Sequence, residues 1–62
     1  MQIAIGTTYT SGLLLHQRQV LAIDGDEITY RVISSHASAV IGSTHCGRLT
    51  DFRRWAKRIV EG

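Results

Sequence analysis

The stretch from Val20 to Ser34 constrains this chain more than any other. It reads Val-Leu-Ala-Ile-Asp-Gly-Asp-Glu-Ile-Thr-Tyr-Arg-Val-Ile-Ser, two runs rich in β-branched and aromatic residues that meet at Asp24-Gly25-Asp26. An Asp-Gly pair between such runs is a strong hairpin signal, because glycine supplies the positive φ that tight hairpin turns require. Pairing Asp24 with Glu27 across Gly25-Asp26 sets Ile23 opposite Ile28 and Leu21 opposite Tyr30. A type I′ turn at Asp24-Gly25 would slide the pairing by two residues and leave every side chain on the same face. Either register sorts Leu21, Ile23, Ile28, Tyr30 and Val32 onto an apolar face. Arg18, Val20, Ala22, Thr29, Arg31 and Ile33 then share a mixed face. A lone two-stranded hairpin is marginal in water, so the apolar face needs cover from elsewhere in the chain.

That cover must come from little material. With 62 residues and a single cysteine, Cys46, the chain has room for one small domain, 1–62, with no internal disulfide. Stability must come from packing or from self-association, and a homodimer is one solution at this size. The apolar fraction of 44% and the absence of proline speak for a folded chain over a disordered linker. Met1-Gln2-Ile3-Ala4-Ile5 has neither a basic segment nor a long apolar core, and Leu13-Leu14-Leu15 is too short to span a bilayer. The expectation is a cytoplasmic protein without a membrane partner.

Ahead of the hairpin, Gln2-Ile3-Ala4-Ile5 alternates like a short strand that ends at Gly6. The run Thr7 to Gly12 is loop-like, with Tyr9 turned inward as a core aromatic. Residues 13–19 fit either of two patterns. As a helix capped by Ser11 they would align Leu13, Leu14, Gln17, Val20 and Leu21; as a strand they would join the hairpin without a break. The strand is favoured, since no Gly or Pro separates this stretch from Val20. Beyond the hairpin, Val40-Ile41-Gly42-Ser43-Thr44 suggests one more short strand, with Gly42 at a bulge or close approach. Gly47 then turns the chain.

The second clear signal is at the C-terminal end. Phe52, Trp55, Ala56, Ile59 and Val60 recur at helical spacing, with Thr50 as N-cap, Asp51 at the positive end and Gly62 as the stop. This predicts a helix over 51–61, packed on a sheet within 2–44, and Trp55→Ala is expected to unfold the domain. The architecture expected is α+β: three to five antiparallel strands with one C-terminal helix.

Charge is unevenly spread. Residues 1–47 sum to −1, whereas Arg48, Arg53, Arg54, Lys57 and Arg58 against Asp51 and Glu61 give residues 48–62 a sum of +3. On a helix, Arg53–Lys57 and Arg54–Arg58 would be like charges at i, i+4, each costing a few tenths of a kcal/mol. An anion such as a nucleic-acid backbone would offset that cost, which makes Arg48, Arg53, Arg54, Lys57 and Arg58 the candidate binding residues. The plainer reading is a solvated outer face, with cations favoured near a helix C-terminus.

Other chemistry is weakly supported. His16, His36, His45 and Cys46 match no closed zinc spacing, and neighbours His45 and Cys46 point to opposite faces of an extended segment. Asp24, Asp26 and Glu27 are turn residues without a calcium loop around them. Ser35-His36 and Thr44-His45-Cys46 contain nucleophile and base types but no third orienting group in sight. No glycine-rich phosphate loop is present. The expectation is therefore a non-enzymatic domain with neither metal nor cofactor.

Three local patterns together resemble short proteins carried by bacterial prophages and mobile elements. They are Gly6-Thr7-Thr8-Tyr9, the hairpin from Val20 to Ile33 with its Tyr30-Arg31-Val32 ending, and Phe52-Arg53-Arg54-Trp55-Ala56. The resemblance implies an SH3-like, strongly bent sheet closed by a terminal helix, a fold that hosts nucleic-acid binders and protein binders alike. The first expectation is thus an accessory domain touching nucleic acid through its basic helix face. The second is a protein-interaction module, a phage-borne inhibitor of a host protein or a homodimer, that uses a sheet edge.

Overall fold

The computed structural model describes residues 2–12 and 15–60. Its elements in chain order are β1 (Thr8–Thr10), β2 (Gln17–Asp24), β3 (Glu27–Ser34), a 3-10 turn (Ser38–Val40), β4 (Thr44–Arg48), α1 (Leu49–Trp55) and β5 (Arg58–Ile59). The strands form one five-stranded antiparallel sheet in the order β4-β3-β2-β1-β5. This is the small α+β, SH3-like arrangement expected, an open sheet with one helix.

The hairpin forms where its turn chemistry places it. Asp24 pairs with Glu27 and Ile23 with Ile28, and Gly25 has φ +59° at the first position of the two-residue loop. That is the position where a type II′ turn requires glycine. Four residues upstream the expectation fails. Val20, not Leu21, stands opposite Tyr30, because β2 carries a register shift between Val20 and Ala22. A bulge puts two residues against one and bends the strand. With Leu21 as the extra residue, Val20 and Ile23 both serve the core side. Val20 is fully buried, whereas Leu21 is only half-buried. The bulge also moves Arg18 and Val20 from the mixed face onto the face of Tyr30 and Val32.

The segments around the hairpin correct the sequence reading further. Residues 2–5 form no strand. Ile3 is buried, and the buried Tyr9 pins this segment by accepting the Ala4 N–H at 2.8 Å and donating to the Gln2 carbonyl at 3.3 Å. The strand favoured over 13–19 begins at Gln17, and Leu13 and Leu14 lie outside the described residues. The expected strand at 40–44 falls later, at Thr44–Arg48, so Gly47 lies within β4 and makes no turn. Gly42 is required for its φ of +88° and not by crowding, since the space for a Cβ there is open. Its N–H donates to the Val32 carbonyl at 2.7 Å, which ties the 35–43 loop to β3.

The helix differs most. It starts earlier than expected, with Arg48 as N-cap. Thr50 does not cap it. Its hydroxyl donates to Asp26 Oδ1 at 2.8 Å, and the Leu49 N–H donates to the Asp26 carbonyl at 2.7 Å, so the hairpin tip holds the first turn. The helix expected over 51–61 ends at Trp55, with Ala56 extended at φ −75°, ψ 118°. From there the chain runs antiparallel to β1: the Lys57 N–H donates to the Thr10 carbonyl at 2.8 Å and the Val60 N–H to the Thr8 carbonyl at 2.9 Å. The outer edge of β1 offers these donors acceptors outside a helix. β-branched Ile59 and Val60 suit the extended form, and leaving the helix dissolves the Arg53–Lys57 and Arg54–Arg58 repulsions.

The core is Ile3, Tyr9, Val20, Ile28, Phe52 and Ala56, with Ile23, Tyr30, Leu49 and Trp55 partly buried against it. Phe52 is its hub, with ring centroids 5.8 Å from Tyr9, 5.5 Å from Tyr30 and 5.3 Å from Trp55. Of the expected apolar stripe, Phe52 and Ala56 are buried and Trp55 half-buried, but Ile59 is 50% exposed because it belongs to β5.

Candidate nucleic-acid interface

The five candidate cations are all exposed, but they do not form one helix face. Arg48 sits at the junction of β4 and α1, and Arg53 and Arg54 lie in the last turn of α1. Lys57 follows the helix and Arg58 is in β5, where its guanidinium donates to the Gly12 carbonyl at 3.2 Å. Among the described residues, no ion pair engages Arg48, Arg53, Arg54 or Lys57. The patch therefore spans a short helix, the link that follows it and an edge strand.

Next to it the structure assembles a group that the sequence left scattered. The bulge in β2 places Arg18 beside Tyr30, and α1 brings Trp55 over the same guanidinium. The Arg18 Cζ lies 4.9 Å from the Tyr30 ring centroid and 4.2 Å from that of Trp55, inside cation–π range for both. His45, opposite Tyr30 in the β3–β4 register, lies 5.8 Å from it at 32° between ring planes. The Ser43 hydroxyl donates its proton to the Val40 carbonyl, so His45 Nε2, 2.7 Å from Ser43 Oγ, is the donor in that pair. His16 and His36 meet edge to face, 4.7 Å between centroids, at the loop end of the same region.

These side chains border two depressions on either side of Arg18 and Tyr30. One, about 210 Å³, reaches toward His16, Ser34, Ser35 and His45; the other, about 290 Å³, reaches toward Arg48, Asp51, Phe52 and Trp55. This grouping could not be read from the residue pattern, because regular alternation from the turn sends Arg18 and Tyr30 to opposite faces. A one-residue bulge has no reliable signature in a single sequence. Among the described residues, no three His, Cys, Asp or Glu side chains are placed to hold a metal ion, and no helix is long and apolar enough to cross a membrane. Cys46 is exposed, its Sγ 3.5 Å from Thr29 Oγ1 on the opposite side of β4 from His45.

No protein-family model, curated protein or solved structure matches the chain.

Proposed function

We propose that this is a non-enzymatic accessory domain that binds nucleic acid through phosphate contacts from Arg48, Arg53, Arg54, Lys57 and Arg58. One observation carries the reading: all of these side chains are exposed between positions 48 and 58, and Asp51 is the one carboxylate within that stretch. Exposed cations of this density are the footprint of a polyanion partner. Such binding is governed by counterion release, so affinity falls with salt by roughly 0.7–0.9 in log–log slope for each phosphate contacted.

Fluorescence anisotropy with mixed-sequence DNA and RNA across a salt series tests it. Binding at low salt that weakens steeply with salt is expected, and Arg53→Glu with Arg54→Glu should abolish it. These exposed substitutions should leave stability within about 0.5 kcal/mol. No binding at low salt, or binding indifferent to the charge reversal, rejects the reading.

One observation favours a second reading, a protein-interaction module such as a phage-borne inhibitor or a homodimer. All residues of β4 are exposed, and it ends the sheet, so its outer edge is open to strand addition. Capture of a partner from bacterial lysate that survives nuclease treatment would favour it. A concentration-independent monomer in sedimentation would remove the homodimer version.

A further inference from the structure

Resting on the nucleic-acid reading and extending it, we infer that the Arg18–Tyr30–Trp55 cluster is a stacking site for unpaired bases, so that the ligand is single-stranded. Phosphate contacts alone cannot distinguish single strands from duplex. A preference for single strands requires ring faces onto which splayed bases can stack, close to the cations that follow the backbone.

The structure supplies both parts in one place. Tyr30 and Trp55 each pack against Phe52 but are only half-buried, and a guanidinium lies over each ring. A guanidinium plane is itself a surface on which bases stack, and it can turn to a phosphate when a base takes its position on a ring. The flanking depressions of about 210 and 290 Å³ give a base room on either side of Arg18. Charge complementarity points the same way. Arg18 and Arg48 are the cations bordering the second depression, against Asp51 as its single carboxylate, and the first depression has none. Arg48 also belongs to the phosphate-binding set, so the backbone path and the ring faces meet at the start of α1.

The full chain offers its own reporter, because Trp55 is its only tryptophan. Titration with an oligothymidylate, an abasic oligomer of equal length and a duplex of equal length, at one low salt concentration, separates the possibilities. The expected result is quenching of Trp55 emission by oligothymidylate and binding about tenfold or more tighter than to the abasic oligomer or the duplex. Tyr30→Leu and Arg18→Gln should each narrow that difference while binding of the abasic oligomer persists. The comparison of ligands on the unaltered chain stands even where a variant fails to fold. Equal affinity for all three with unchanged emission overturns the stacking site and leaves the phosphate-led reading in place. Failure of every oligomer to bind overturns both.

Discussion

The β2–β3 hairpin and the segment from Leu49 to Val60 contrast in how their conformation is specified. Both carry clear periodicity, of two in the hairpin and 3.6 in the C-terminal segment. The hairpin forms as its pattern demands near the turn, because a two-residue loop with Gly25 at positive φ admits few alternatives. The C-terminal segment follows its pattern for Leu49–Trp55 and then abandons it. Seven residues are too few to sustain a helix by themselves, so the chain beyond Trp55 goes where its backbone donors are best met. The outer edge of β1 meets them. Local turn chemistry is decisive where it is stereochemically exclusive, whereas amphipathic spacing is a preference that a free strand edge can overrule.

The sharpest way to break this comparison is at the joint between the two regions. Phe52 is 3% exposed and touches Tyr9, Tyr30 and Trp55. Phe52→Ala should cost about 3–5 kcal/mol, against a total of about 3–9 kcal/mol for a chain of this length. Urea denaturation should therefore find it largely unfolded; Trp55 is only half-buried, so Trp55→Ala should cost clearly less and not unfold the domain as its helical spacing suggested. Equal losses would show that the helix leans on Trp55 as much as on Phe52.

The bulge makes the next largest difference. Val20→Ala removes methyls from a fully buried site and should cost about 2 kcal/mol, whereas Leu21→Ala, although it deletes more carbon, should cost about 1 kcal/mol or less. The reverse order in thermal melts would restore regular alternation through β2. Gly25→Ala forces a side chain into the left-handed region at φ +59° and should cost about 1–2 kcal/mol, with the sheet otherwise retained.

The smallest effect is expected at β5. Val60→Pro deletes the N–H that donates to the Thr8 carbonyl and should cost about 1 kcal/mol. Amide exchange should show Lys57 losing protection while Val20 and Val32 keep theirs. If instead the amides of α1 lost protection together with Lys57, the helix would have to run beyond Trp55.

How far the chain was legible follows from the same physics. The turn at Asp24-Gly25-Asp26, the pairing of Ile23 with Ile28, the inward Tyr9 and the apolar Phe52-x-x-Trp55-Ala56 spacing could all be read directly. Each depends on neighbours within a few positions, where backbone sterics and side-chain period act alone. The five candidate cations could be located as exposed, since charged side chains seldom leave water unpaired. Their arrangement could not. Lys57 and Arg58 leave the helix, Arg58 onto a strand, because β1, dozens of residues earlier, leaves an edge that accepts them.

By itself the sequence determined a small antiparallel sheet around one glycine turn, an aromatic helix start to cover it and a positive C-terminal stretch. Only the tertiary structure decided that Leu21 bulges, that Arg18 lies between Tyr30 and Trp55, and that Arg58 and Ile59 form a strand. Those outcomes turn on register and edge pairing between distant segments, where a shift of one residue exchanges the two faces of a strand and no local pattern records it.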